Sequence, residues 1–185
     1  LAWRNADPGA IFNVDFADTG GSLLDRADYT AWTGPGQTGT QAAGWTTIFA
    51  GGGLSAYTAD WGVSFGLLAS GTNYVSVRVY DVAGSSAAVN DVFFVRKDTM
   101  PPAVTDNQPG DDTWRAAFGA IYNIDFADPL AALGGIEYAI YTGTGLTGTQ
   151  LKPWTAIASV AGLADHTTDW VVDFFAAQNG FNYVS

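Results

Sequence analysis

One stretch of this chain occurs twice. Gly9-Ala10-Ile11-Phe12-Asn13-Val14-Asp15-Phe16-Ala17-Asp18 returns 110 residues later as Gly119-Ala120-Ile121-Tyr122-Asn123-Ile124-Asp125-Phe126-Ala127-Asp128. Later landmarks keep a spacing of 109: Trp45-Thr46 with Trp154-Thr155, Asp60-Trp61 with Asp169-Trp170, and Asn73-Tyr74-Val75-Ser76 with Asn182-Tyr183-Val184-Ser185. The copies therefore differ by one net deletion, between Asp18 and Tyr29. Solenoid repeats run to about 20–50 residues, so a period this long suits a whole small domain of roughly 100 residues. Two tandem domains are expected. With 48% hydrophobic and 14% aromatic residues, each can fill a core of its own.

Within each copy the signals are those of strands. Phe12, Val14 and Phe16 alternate with Asn13, Asp15 and Ala17, and Tyr122, Ile124 and Phe126 repeat the pattern. Val75, Val77 and Val79 alternate likewise, as do Trp61, Val63, Phe65 and their counterparts Trp170, Val172, Phe174; Val92 to Val95 suit a short buried strand. Period-2 alternation marks a strand with one face in a core. Gly-rich breaks separate these runs at 19–21, 33–39, 51–53, 70–71 and 83–85. Short strands punctuated by turns every ten or so residues predict an all-β sandwich. Pro101-Pro102 removes two backbone donors, which a central strand does not tolerate, and places a boundary between domains 1–100 and 101–185. By the repeat register, domain one is expected to lack its opening strand, and domain two to lack what corresponds to Val77–Val95. Such a domain is either cut short or completed by a strand from another chain, since an unpaired sheet edge recruits strands.

Composition narrows the function. Seven basic against eighteen acidic residues give a net charge of −11, with only Lys97, Lys152 and five scattered arginines as cations. That argues against nucleic acid, which needs clustered Lys and Arg, and against anionic membranes. The chain has no cysteine, hence no disulfide, thiolate metal site or catalytic thiol. A cysteine-free, acidic, Gly- and Thr-rich chain suits an extracellular setting. No apolar run approaches the ~18 residues of a membrane span.

The residues then carry a resemblance. Gly71-Thr-Asn-Tyr-Val-Ser-Val-Arg-Val-Tyr-Asp-Val-Ala-Gly84 and Phe93-Phe-Val-Arg-Lys-Asp-Thr-Met-Pro-Pro102 resemble the strand-and-turn and the Asp-Thr-x-x-Pro junction of bacterial immunoglobulin-like (Ig-like or fibronectin-like) repeats in large cell-surface proteins and adhesins. Ser85 stands where that family usually has Asn. The resemblance implies two Ig-like β-sandwich domains that space and present surfaces in a surface protein, fibre or surface layer. Their partners would be neighbouring repeats, other chains by strand exchange, or a glycan or cell-surface protein. The alternative is a carbohydrate-binding module of a secreted enzyme.

Candidate sites follow. In an Ig-like sandwich the loops after the second and sixth strands share an end. Asp18 and Asp81 are therefore expected to meet there as calcium ligands, with Asp128 in the same place in domain two and Asp98 or Asp106 arriving from the linker. Aspartates at strand ends also simply shape turns. Trp32 and its counterpart Tyr141, beside a Gly-rich loop, are the expected ligand contacts. Both copies hold a literal G-x-G-x-x-G, Gly34 to Gly39 and Gly143 to Gly148, but no helical pattern follows to meet a phosphate, and the glycines fit a loop needing positive φ. No catalytic residue is expected: the one histidine, His166, aligns with Tyr57, Glu137 is the one glutamate, and Asp60 and Asp169 suit turns. Trp45, Trp61, Trp154 and Trp170, in register between copies, are expected in the cores.

Overall fold

A computed structural model describes residues 2–108, 110–117, 119 and 121–185. Ala120 of the repeated stretch, and Pro109 of the expected opening turn of the second copy, lie outside the described residues. The chain is all β, with two short 3₁₀ turns and no α-helix among the described residues. It divides into two compact units, Leu1–Met100 and Pro101–Ser185.

Unit 1 contains β1 (Trp3–Arg4), β2 (Phe16–Ala17), β3 (Leu24–Gly34), β4 (Thr38–Leu54), β5 (Ala56–Tyr57), β6 (Gly71–Asp81) and β7 (Ser86–Lys97). One sheet runs in the order β1-β7-β6-β3-β4, with only β1 and β7 parallel. The second layer pairs β2 with β5, and Phe12 with Trp61 by a single bridge. Alternation decides which side chains lie between the layers. Ala27, Tyr29 and Ala31 of β3, and Val75 and Val77 of β6, are buried and meet Phe16, Trp61, Val63 and Phe65 from the other layer. Full burial of a valine such as Val75 is worth about 1.5–3 kcal/mol before entropy is counted. Tyr29 stacks on Trp61 at 5.6 Å, and its hydroxyl accepts the Ser64 backbone N–H at 2.7 Å.

The stretch from Trp61 to Phe65 buries every second side chain as its sequence predicts, yet it is not a strand. Its one backbone bridge among the described residues is to Phe12, and the chain coils into a 3₁₀ turn at Phe65–Leu67. The Lys97 ammonium donates to the Phe65 and Leu68 carbonyls of that turn, the first of which also accepts the Leu68 N–H. Gly51 to Gly53, expected as a break, stays within β4.

Unit 2 contains β8 (Ala103–Asp106), β9 (Ile121–Tyr122), β10 (Ile124–Ala127), β11 (Ile136–Gly143), β12 (Thr147–Ala158), β13 (Asp165–His166), β14 (Trp170–Val171) and β15 (Tyr183–Val184). Its sheets are β13-β10-β8, β12-β11-β15 and β14-β9. Tyr138 and Trp170 repeat the central pair at 5.2 Å, with the Tyr138 hydroxyl accepting the Asp173 N–H. The extended stretch is again brief, since Phe174–Ala176 is a 3₁₀ turn. His166 pairs with Phe126 as Tyr57 pairs with Phe16.

Two of the four tryptophans expected in the cores lie outside them. Trp61 and Trp170 are 4% and 8% exposed, whereas Trp45 and Trp154 are 36% and 49% exposed. A bulge is the cause. Tyr29 and Ala31 on β3 face Thr46 and Ala43 on β4, so β4 carries one extra residue there, and Tyr138/Ile140 face Thr155/Lys152 in the same way. One inserted residue reverses the faces of those that follow, sending Trp45 outward although Ala43 points in. Gly44 and Pro153 occupy the bulge, residue types that mark such irregularities.

Candidate functional site

The structure brings Asp18 and Asp81 together. Asp18 follows β2 and Asp81 ends β6, and both carboxylates contact one hydroxyl: Ser22 Oγ is 3.0 Å from Asp18 Oδ2 and 2.9 Å from Asp81 Oδ2. A hydroxyl has one proton, so it donates to one of the two at a time. Backbone amides hold the other oxygens, Gly20 N–H on Asp18 at 2.7 Å and Ser85 N–H on Asp81 at 2.7 Å. The Gly20 amide is the main reason the Asp18 carboxyl sits below its ordinary value, and the Ser22 hydroxyl is the main reason for Asp81. Two ionised groups thus share one end of unit 1. The same Asp81 shapes the turn into β7, with Ser85 occupying the position at which the resemblance expects Asn.

The other expected calcium ligands each accept nearby backbone amides. Asp98 follows β7, and β7 runs antiparallel to β6 with Lys97 opposite Gly71, so it stands at the far end of that sheet from Asp81. Its Oδ1 accepts the Met100 N–H at 3.0 Å. Asp128 accepts the Leu130 and Ala131 amides, forming a turn. Asp106 does not join it. In the antiparallel β8·β10 ladder Asp106 faces Ile124 while Ala103 faces Ala127, so Asp106 and Asp128 lie at opposite ends, more than about 10 Å apart at ~3.3 Å per residue. Asp106 instead accepts the Gln108 N–H. Among the described residues no three carboxylate or imidazole side chains gather as a metal cage.

Both G-x-G-x-x-G stretches are hairpin tips. Gly36 and Gln37 have φ of 64° and 60°, and Gly145 and Leu146 have 62° and 63°, a left-handed conformation suited to glycine. Two threonines fix each tip. Thr38 Oγ1 donates to the Pro35 carbonyl and Thr33 Oγ1 accepts the Thr40 amide; Thr147 and Thr142 do the same in unit 2. A Cβ on Gly39 would stand 2.5 Å from Thr33 Oγ1, and one on Gly148 would collide with Thr142 Oγ1. The motif is a tight turn with two close approaches. In unit 1 the tip also bonds β7, through Gly36 N–H to Asp91 Oδ2 and Gln37 Nε2 to Asn90 Oδ1, both at 2.7 Å. Asp91 reaches it from a left-handed bulge with φ of 54°.

Trp32 and Tyr141 lie on the outer faces of their sheets, each half-buried. Trp32 sits in a row across four strands, with Gln41 on one side and Tyr74 then Phe94 on the other. Tyr141 repeats it between Gln150 and Tyr183. The Trp32 indole N–H donates to Thr30 Oγ1 at 3.1 Å, as does the Gln41 amide. The outer face of unit 1 also holds a charged cluster that alternation alone does not announce. Asp28, 4% exposed, accepts from Arg78 Nε at 3.0 Å and Thr47 Oγ1 at 3.1 Å, with Arg26 Nε at 3.6 Å. The Arg78 guanidinium lies 4.1 Å from the centre of the Trp45 ring, a cation–π contact.

The Asn of Asn-Tyr-Val-Ser is a structural clamp that strand alternation does not reveal. Asn73, fully buried, accepts the Ala69 N–H and donates to the Ala69 carbonyl, closing the loop before β6; Asn182 does the same with Gln178 before β15. Its one mark in the sequence is the literal four-residue repeat. No known protein-family model matches this chain, and no curated protein matches it either.

Proposed function

We propose that this chain is a structural and adhesive module, a pair of Ig-like repeats that space and present surfaces in an extracellular bacterial surface protein, fibre or surface layer. The observation that carries this is what the two units have in common. Both keep the buried Tyr–Trp pair, the threonine-braced hairpin tip and the Asn clamp, which are scaffold, while the one histidine, His166, is replaced by Tyr57 in the other copy. The order β7-β6-β3-β4, with β2 and β5 in the opposite layer, also follows the strand plan of Ig-like sandwiches. No catalytic role is assigned.

Mechanical unfolding of the full chain tests the proposal. A spacer gives two separate rupture events, one per unit; extension without resolved ruptures sinks it. Calcium at the Asp18–Asp81 pair belongs to the same proposal, as a device that neutralises two adjacent carboxylates. Millimolar calcium should then raise the melting temperature of unit 1 against a chelator, and Asp81→Asn should abolish the difference.

The aromatic rows favour a second reading, a carbohydrate-binding module. Rings standing side by side on a sheet, flanked by an amide, suit the faces of sugar rings, and Trp32 and Tyr141 would be the contacts. A glycan array distinguishes the two: binding lost in Trp32→Ala supports the module, and no binding removes it.

A further inference from the structure

The five arginines are scattered in the sequence, yet the fold gathers three of them on one surface of unit 1. Side chains alternate along a strand, so the buried Ala27, Val77 and Val95 send their neighbours Arg26, Arg78 and Arg96 to the outer face of the main sheet. Among the described residues the one carboxylate in ion-pair reach of these guanidiniums is Asp28. The side chains of Arg26 and Arg78 are 43% and 29% exposed and that of Asp28 is 6% exposed, so the charge this group shows to solvent is positive. The chain as a whole carries −11. At physiological ionic strength charges beyond about 8 Å are largely screened, so a ligand on this face responds to the arginines nearest to it.

The ring row Trp32, Tyr74 and Phe94 crosses the same face, and strands about 4.8 Å apart spread it over about 10 Å. Arg96 borders this row. It lies two residues along β7 from Phe94, about 7 Å, and its guanidinium rests 5.5 Å from the centre of the Phe94 ring and 5.6 Å from that of Trp3. Those rings fix the cation in place. A guanidinium has five N–H donors and no acceptor. Arg78 gives its Nε–H to Asp28, whereas the Arg96 Nε has no hydrogen-bond partner and Arg96 makes no salt bridge among the described residues. Arg78 stands on the other side of the row, four residues along β6 from Tyr74, about 13 Å. The cations are thus separated by rings. Nucleic acid, with one charge per about 1.7 Å, needs them clustered, while a polymer whose charges are carried on sugar rings does not.

We propose that this outer face of unit 1 binds an acidic polysaccharide, one whose sugar rings carry carboxylates. The rings of Trp32, Tyr74 and Phe94 pack against the sugars, and the Arg96 guanidinium pairs with a carboxylate on one of them. Arginine suits that role because its planar fork matches the two oxygens of a carboxylate. Apolar contact supplies most of the area in such a site, and one placed charge selects the ligand. The inference rests on the carbohydrate-binding reading above and adds to it the class of glycan.

Calorimetric titration of the full chain tests it with polygalacturonate, alginate and hyaluronan, each beside its methyl ester, which keeps the sugar rings and removes the charge. At least one acid polymer should bind, and its ester should bind about tenfold more weakly or less tightly still, the ordinary worth of a charge-assisted hydrogen bond. Added salt should weaken the acid form and leave the ester unchanged. Arg96→Gln should bring the acid down to the level of the ester, and Trp32→Ala should weaken both. The comparison of acid with ester needs no variant, so it holds even if Arg96→Gln lowers the melting temperature. Equal binding of acid and ester, or binding of neutral glycans alone on an array, overturns the acidic class and leaves the carbohydrate reading standing. Polyglutamate bound as tightly as the acid polymer overturns it in favour of an acidic polypeptide. No binding of any glycan, charged or neutral, removes both the inference and the reading beneath it.

Discussion

The two units use one set of parts to different depth. In unit 1 β3 is covered on both sides, by eight register pairs with β4 and eight with β6, and a single cluster of thirteen buried hydrophobic residues joins its layers. In unit 2 the buried hydrophobic residues fall into two clusters, around Tyr138–Trp170 and around Leu133–Val160. The same local sequence therefore gives the same local structure, while the energy it contributes depends on how many neighbours close over it. A Tyr–Trp pair is worth more where its surroundings are complete, because removing a ring there leaves a larger enclosed void and strips more packed atoms of their dispersion partners.

The largest effects test this directly. Trp61→Ala should cost unit 1 about 3–5 kcal/mol, the usual loss for a buried aromatic, and Trp170→Ala should cost unit 2 less. Calorimetry of the full chain would register each as a downward shift of one transition; equal shifts would break the comparison. Next comes the loop clamp. Asn73→Ala removes a fully buried side chain and the partner of the half-buried Ala69 amide and carbonyl, and should cost about 2–3 kcal/mol. Asn182→Ala, at a half-buried site, should cost about 1 kcal/mol.

The hairpin tips should break the pattern by behaving alike. Gly39→Ala and Gly148→Ala place a Cβ against a threonine hydroxyl at positive φ in both units, and each should cost about 1–2 kcal/mol in denaturant titrations. Their tips depend on local geometry and not on the sheet beyond. Acid gives the smallest effect. Asp18 and Asp81 are held below the ordinary aspartate value in unit 1, Asp173 in unit 2 by the Lys152 ammonium. Folding lowers these pKa values, so the stability they add is complete above the unfolded value near 3.8 and is lost as the pH falls through the folded ones. Ser22→Ala removes the main group lowering Asp81 and should move the acid transition of unit 1 to higher pH while leaving that of unit 2 in place.

Much of the scaffold is legible in the sequence because alternation and turn chemistry are local. Val75 and Val77 read as inward and are inward, and the glycines of the tips already imply a loop needing positive φ. The repeat register misplaces Trp45 for an equally local reason: a bulge changes face parity, and Gly44 and Pro153 are its only marks. Asp106 is misplaced because a carboxylate's position along a strand says nothing about which end its partner occupies until the register of β8 against β10 is known.

By itself the sequence determined that the chain is all β, which residues face inward wherever strands run unbroken, and where left-handed glycines turn the hairpins, because these follow from side-chain period and backbone sterics. Only the tertiary structure decided that Asp18 and Asp81 share the Ser22 hydroxyl and that Trp45 stacks on Arg78. Those contacts join residues about 30 to 60 positions apart, and their distances are set by strand order and register, which no local pattern encodes.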